Sequence, residues 1–319
     1  MGASRPIRFG TTAGRTDDPE TLRRLARRAE NLGYSTFGLA DHFMIPFAPL
    51  VAGQAVADAT TTVRVGQVVM ASDFRHPAVL AKELATLDVL SGGRVEIGIG
   101  AGWMREEFAA AGIPFEAASV RIERLEEAVT VLKGLFADDP LTFAGKHFTV
   151  TALDGLPKPA QRPHPPIMIG GGGHKVLSVA ARQADIIQVL PGVIRGVAAL
   201  DATQFAARSY REKVDWIRDA AGARFDDLEL GTLLMHVVVT DDADQAWNAF
   251  LSQFPADAMN DEAKRAELRA SPVVAIGPIE EVCERLLATR DELGFSYFST
   301  PVGGAPDTLA PVIERLAGV

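Results

Sequence analysis

Eight times along its 319 residues the chain passes from a short apolar run to a segment with helical spacing, and this alternation limits its architecture more than any single motif does. Strands are expected over residues 7–12, 36–40, 63–70, 95–99, 167–169, 186–190, 228–239 and 295–300. Helices are expected at 19–32, near 50–59, at 77–90, around Leu125, Val129, Leu132 and Phe136, and at 176–183, 205–221, 278–292 and 308–316. Runs such as Ile167-Met168-Ile169 carry no alternating polar residue, so both faces of those strands are expected to be covered. Parallel strands covered by their own crossover helices, repeated eight times, make a (β/α)8 TIM barrel. A doubly wound open sheet is the other candidate, but it rarely carries eight alternations that end on a helix.

Two stretches do not fit the repeat and are expected to be insertions in a single barrel domain spanning 1–319. One covers residues 108–165, where LTFAGKHFTV reads as a β-hairpin about Ala144-Gly145-Lys146 and a proline-rich connector follows. The other, 241–272, is helical and carries Trp247, Phe250 and Phe254, which are expected to form a lid at the C-terminal face.

The composition excludes several function classes. A net charge of −9 argues against nucleic acid and acidic membrane surfaces as partners. No apolar run approaches the roughly 18 residues of a membrane span. The opening MGASRPIRFG lacks the apolar core of a signal peptide, so a soluble, cytoplasmic protein is expected. The single cysteine, Cys283, has no internal disulfide partner and sits beside Val282 and Leu286 on an expected helix, which suits a buried structural thiol.

In a barrel of this kind the chemistry belongs at the C-terminal ends of the strands. The fifth strand runs into Gly170, Gly171, Gly172 and Gly173, then a helix starting near His174. Glycine amides can approach an anion closely, and the helix start adds the positive end of its dipole, with His174 able to help. A ligand-free β-to-α turn is the other reading. The second strand ends in Asp41-His42, an acid–base candidate because imidazole titrates near neutrality and a carboxylate can fix its protonation. A loop pair bonded only to backbone is its alternative.

The remaining histidines carry less. His76 precedes a proline, His147 and His164 lie in the first insertion, and His236 is expected mid-strand in the core. None has metal-ligand spacing, there is no H-E-x-x-H, and no metal is expected. G-x-S-x-G and Walker-type GK[ST] are also absent. The run GIGAGW does not fit a dinucleotide fingerprint, because Trp103 stands where its third glycine belongs.

At these strand ends the sequence resembles the bacterial luciferase-like superfamily of flavin and deazaflavin oxidoreductases. The matching pieces are LGYSTFGLADHF, VGQVVMASDFRHPAVLAKELATLDVLSGGRVEIGIGAGWMREEF, PIMIGGGG followed by AARQAD, and IGPIEEVCERL, in the family's order. The resemblance implies a (β/α)8 barrel, usually dimeric, that binds FMN or coenzyme F420 at its C-terminal face. The LSGGR, GIGAGW and EEF wording is most similar to the F420-dependent branch. That branch often has a non-prolyl cis peptide in a bulge of the third strand, which the alignment puts at Val68–Val69.

By the same resemblance Asp41 would contact the ring system and His42 would sit near its reactive C5 as base or positioner. Gly100, Ala101 and Gly102 would pass close to the cofactor, next to Trp103, and Gly170 to Gly173 would bind its phosphate. One departure matters. F420-dependent sugar-phosphate dehydrogenases carry a glutamate where this chain has Trp103, which weakens a glucose-6-phosphate reading and favours a more apolar pocket. Trp103 read as a wall or core residue away from substrate is the alternative. The implied activity is F420-dependent hydride transfer between deazaflavin C5 and a small organic substrate, in a homodimer. An FMN-dependent monooxygenase and a non-catalytic flavin-binding barrel are the competing readings.

Overall fold

The computed structural model describes residues 5–192, 202–254, 261–303 and 306–319. Eight parallel staves close on themselves: β1 (Arg8–Thr12), β2 (Thr36–Leu39), β3 (Arg64–Gln67, resuming at Met70–Ala71), β4 (Val95–Gly100), β5 (Ile167–Gly171), β6 (Ile186–Val189), β7 (Glu229–Leu233) and β8 (Phe295–Val302). β1 sets Gly10 opposite Thr36 of β2 on one side and Arg8 opposite Tyr297 of β8 on the other, with a register shift there between Gly10 and Thr12. β4 closes the ring by pairing with both parts of β3. The chain is therefore a (β/α)8 TIM barrel.

Two staves differ from their sequence reading. The third is interrupted where the Val68–Val69 peptide is cis, in the place the family resemblance gave it. The seventh ends six residues early. Leu234 still donates its N–H to Ser299 O at 2.8 Å, but Met235 donates to Val273 O at 2.9 Å, outside the barrel. From there His236–Val239 pairs in parallel with Val274–Gly277 as a separate two-stranded sheet. Both halves of the run are apolar, so hydropathy cannot register the change of partner.

Helices form where caps and spacing ask for them. Pro19–Asn31 is capped by Asp18, which accepts the N–H groups of Glu20 and Thr21, and it buries Leu22, Ala26 and Ala29 on one face. Pro77–Leu90 is capped at its start by His76, whose Nδ1 accepts the Ala78 N–H at 3.2 Å. Ala118–Phe136 buries all four expected apolar positions and packs against Pro77–Leu90 and His174–Gln183, as the fourth helix of the ring. The expected hairpin is present, with Leu141–Ala144 antiparallel to Thr149–Leu153. Among the described residues no helix is long and apolar enough to cross a membrane.

The N-terminal end of the barrel is plugged by charge. Arg8 on β1 bonds Glu229 on β7 at 2.6 and 2.7 Å and Glu96 on β4 at 2.9 Å, while Tyr297 on β8 donates its hydroxyl to Glu96 at 3.0 Å. The guanidinium also lies 3.6 Å from the centre of the Tyr297 ring. Side chains from staves on opposite sides can meet only across the lumen. Gly10 makes room for them, since a Cβ there would stand 2.7 Å from the Tyr297 hydroxyl. Burial opposes the Arg8 charge, but Glu96 and Glu229 outweigh it and hold the arginine well above its ordinary range. Burial pushes the Tyr297 phenol up.

Trp247, Phe250 and Phe254 are buried together, with ring centres 5.8 and 5.3 Å apart along the row, and Phe250 also stacks on His236 at 4.7 Å. They are part of the main apolar core, Phe254 also meeting Phe205 at 6.2 Å, rather than an exposed lid. His236 is correspondingly half-buried in the outer sheet, where burial lowers its pKa.

Candidate functional site at the C-terminal rim

Strand pairing persists to the rim and then stops. Gly38 O accepts the Ala13 N–H and Leu39 O accepts the Val68 N–H, both at 2.9 Å, after which Ala40, Asp41 and His42 leave the sheet. A tight turn, Ile45 N–H to His42 O at 2.9 Å, holds His42 at the edge. The short helix Arg105–Ala110, following β4, brings Glu107 up to it, and His42 Nδ1 lies 2.7 Å from Glu107 Oε2. Trp103 packs edge-on against the imidazole, with ring centres 5.9 Å apart. A carboxylate can only accept here, so Nδ1 carries the proton and Nε2 is the ring nitrogen left for a ligand. Glu107 is buried, and its Oε1 has no hydrogen-bond partner among the described residues.

Asp41 has a different setting from its neighbour. Arg75 grips it with two bonds, 2.7 Å to Oδ2 and 3.0 Å to Oδ1, and the Ala71 N–H adds a third at 3.2 Å. The carboxylate thus ties the end of β2 to the loop after β3. Burial opposes the Arg75 charge, but its bonds to Asp41 win and raise its pKa.

The loop after β4 is held from behind. Arg121 donates to Ala101 O at 3.0 Å and Gly102 O at 3.3 Å, and its guanidinium stacks on Phe115 at 3.8 Å. Gly102 has φ +70°, and a Cβ on it would strike Phe108 at 2.6 Å, so glycine is required there. Rings continue outward from Phe115 through Phe108 and Phe74 to Phe43, each pair about 5 Å apart at 5.0, 4.9 and 5.1 Å. The row emerges as an apolar patch: Phe43 is 62% exposed, Trp103 56% and Met44 49%. Trp103 is thus a rim residue and not part of the core.

The break in β3 sits among the rim glycines. Val69 Cγ2 lies 3.0 Å from where a Cβ on Gly100 would be, and Val69 Cγ1 lies 3.8 Å from the same point on Gly170. Val68 and Val69 rest on Met168, Ile186 and Tyr297 below. Two partly buried valines between side-chain-free strand ends make an apolar floor on which a planar ring can rest.

β5 ends at Gly171, whose carbonyl accepts the Leu190 N–H at 2.8 Å. Gly173 caps the helix His174–Gln183 with no side-chain acceptor, leaving the first-turn amides without one. A Cβ on Gly172 would press on Leu190 O at 2.5 Å and Pro191 O at 2.6 Å, whereas one on Gly173 would meet nothing within 4 Å. The ring of His174 rests edge-on against Trp216 at 5.2 Å. Lys175 turns away to Glu123 Oε1, 2.8 Å off. Amides with no side-chain acceptor at a helix start, opening on space that no described residue fills, fit a phosphoryl group.

The expected residues therefore gather on one rim, in two parts: His42, Trp103 and the valine floor for a ring, and the glycine turn for an anion. Two cavities lie elsewhere, one beside Arg5, Arg8 and Glu229 at the barrel's other end, one beneath Trp247 and Arg285. Neither adjoins this convergence of polar groups, and the rim is the better candidate. Sequence reading missed Glu107, Arg75 and Arg121, which lie 65, 34 and about 20 residues from the groups they hold.

The sequence profile of the luciferase-like monooxygenase family matches residues 1–297. An FMNH(2)-dependent dimethylsulfone monooxygenase of Pseudomonas fluorescens (strain Pf0-1) is 28% identical, covering 93% of this chain and 79% of the relative. An F420-dependent glucose-6-phosphate dehydrogenase of Amycolatopsis mediterranei (strain U-32) is 32% identical over 176 residues, 52% of each chain. The chain spans about half the length of several such curated relatives. Among solved structures, a coenzyme F420-dependent tetrahydromethanopterin reductase from Methanopyrus kandleri superposes with a TM-score of 0.76 over 98% of both chains at 17% identity, a likeness of fold.

Proposed function

The chain belongs to the luciferase-like monooxygenase family, and on that premise we propose that it is an F420-dependent oxidoreductase acting on a small, apolar organic substrate. The observation that carries this reading is the pairing, on one rim, of the His42–Glu107 dyad with an uncapped helix start that follows four glycines. The LSGGR and GIGAGW wording, together with the F420-dependent relatives, supports the choice of carrier.

A bound deazaflavin supplies the two-electron exchange with the substrate. The chain's own groups do the rest. Amides from Gly173 onward hold the phosphoryl tail, and Val68, Val69, Gly100 and Gly170 back the ring. Asp41 and Arg75 fix the loops on either side. His42 Nε2 takes or gives the proton at the reacting substrate atom, steadied through Nδ1 by Glu107. Phe43, Met44 and Trp103 exclude water and favour an apolar substrate, with no acidic group at position 103 to receive a sugar.

An FMN-dependent monooxygenase is the second reading, favoured by the dimethylsulfone monooxygenase match across 93% of the chain. Titration of the purified protein with F420 and with FMN, followed by fluorescence, separates the two. Saturable F420 binding with substrate-dependent change at its absorption band is expected. Tight FMN binding with oxygen uptake coupled to a flavin reductase, and no affinity for F420, would establish the second reading instead.

We propose also that the barrel pairs with a second copy through Pro49–Ala59 and Pro77–Leu90, adjacent helices that expose Val51, Val79 and Leu90. Sedimentation velocity should give twice the chain mass, and Val51→Glu with Val79→Glu should return it to one. A cytoplasmic setting suits the single buried thiol of Cys283, whose pKa burial raises.

A further inference from the structure

Behind the glycine turn stands a cation that these assignments leave unused. Lys213, on the helix Ala207–Ala221, is 2% exposed. Its ammonium donates to Leu190 O at 3.0 Å and lies 4.8 Å from the centre of the Tyr210 ring. No carboxylate lies within ion-pair distance of it among the described residues. Burial pushes the amine down to about 8, with the Glu212 charge opposing. Lysine is almost never fully buried unless paired, because an uncompensated charge in the interior is costly. A neutral donor could anchor the Leu190 carbonyl at less cost, so the charge itself calls for an explanation.

Its position supplies one. Leu190 follows β6, and its carbonyl oxygen, which Lys213 holds, is also the atom nearest to a Cβ built on Gly172. The Leu190 N–H in turn donates to Gly171 O at 2.8 Å. The glycine turn and the Leu190–Pro191 segment thus back on one another, with the ammonium at their junction. Ala207–Ala221 packs along His174–Gln183, and Trp216 sits against His174 at the helix start. Three separate features meet here: uncapped amides, space at Gly173 that no described residue fills, and a buried cation with no counter-ion among the described residues.

We propose that Lys213 is the counter-charge of the phosphoryl-binding turn at Gly172–His174 described above. The phosphoryl group's identity as a flavin or deazaflavin tail rests on the function proposed above; the buried ammonium behind the turn is a separate observation. Lys213 acts across the Leu190 carbonyl through its field and by fixing the turn. It is a positioning residue, and the affinity for phosphoryl groups should depend on its charge.

The test uses the whole chain and two matched pairs of ligands: FMN against riboflavin, and F420 against its phosphate-free deazaflavin fragment. Inorganic phosphate alone is a third probe, read by thermal shift. Wild type should prefer the phosphorylated member of the pair it binds and should be stabilised by phosphate. Lys213→Met should weaken the phosphorylated ligand about tenfold, the scale of one charge-assisted contact, and abolish the phosphate shift. The phosphate-free ligand should bind unchanged, and Lys213→Arg should restore most of the loss. Equal weakening of both members would reduce Lys213 to a loop anchor and overturn the proposal, as would unchanged affinity for both, or a wild type that neither phosphate nor any phosphorylated ligand stabilises. A Lys213-dependent phosphate shift in a protein that binds neither carrier would uphold the anion site and remove the proposed function.

Discussion

His42 Nδ1 and Glu107 Oε2 lie 2.7 Å apart, a contact that joins the end of the second stave to the short helix after the fourth. Through it a buried carboxylate fixes the orientation of an imidazole whose other nitrogen is left without a protein hydrogen-bond partner among the described residues. His42→Ala should lower kcat by about 10²–10⁴, the usual worth of a positioned acid–base group. Glu107→Gln should cost less, about tenfold, with KM little changed. Nitrogen NMR of the His42 ring is the discriminating measurement: wild type should show the Nδ1-protonated tautomer, and Glu107→Gln a mixture. An unchanged tautomer would leave Glu107 without its positioning role.

Neighbouring glycines should respond in opposite ways. A methyl group on Gly172 would press on two backbone carbonyls that cannot retreat easily, so Gly172→Ala should lower both thermal stability and cofactor affinity. One on Gly173 meets nothing within 4 Å and has ordinary backbone geometry, φ −102°, so Gly173→Ala should keep the melting temperature. It projects into the space an anion would need, and affinity for the phosphorylated carrier should still fall. Equal affinity in wild type and Gly173→Ala would move the anion elsewhere on the rim.

The barrel's other end should behave as a unit. Arg8 is shared by Glu96 and Glu229 and covered by Tyr297, so Arg8→Ala takes the main cation from both carboxylates and leaves Glu96 with Tyr297 and the more distant Arg64 at 3.8 Å. Breaking a buried pair from one side costs on the order of 3–5 kcal/mol. Denaturant unfolding should show a loss of that size. Replacing Arg8, Glu96 and Glu229 together by apolar residues of similar volume should recover most of it. If the triple variant is no more stable than Arg8→Ala, the plug is not a coupled network.

How much of this was legible beforehand follows from range. β5 and the four glycines were readable because an apolar run, a glycine turn and a helix start are consecutive in sequence, and all of their physics is local. The same holds for the apolar face of Ala118–Phe136. What was hidden depends on partners far along the chain. Glu107 reads as a surface acid at a helix start until the fold sets it against His42, and nothing local to Arg75 announces that it closes on Asp41, 34 residues away. Likewise, the apolar run through His236 carries no sign that Met235 changes sheets, and Trp247, Phe250 and Phe254 look like a lid only while their mutual packing is unseen.

Glu30 offers a prediction that concerns the scaffold alone. One of its carboxylate oxygens accepts the N–H groups of Thr61, Thr62 and Val63 at 2.8, 2.6 and 3.0 Å, and the Thr62 hydroxyl at 2.9 Å. It thereby clamps the entry of β3 to the end of the first helix. Burial favours the neutral acid, but the three backbone donors outweigh it, and the pKa is lowered from 4.5 to about 2. A group held below its unfolded value binds fewer protons in the native state, so its contribution is complete above about pH 4.5 and is lost as pH falls through about 2. Glu30→Gln keeps an acceptor oxygen but has nothing to titrate. Stability by denaturant melts should therefore fall less steeply between pH 4.5 and 2 in the variant than in wild type, from a lower starting point at neutral pH. Parallel acid limbs would mean that the clamp's charge contributes nothing to holding the third stave in place.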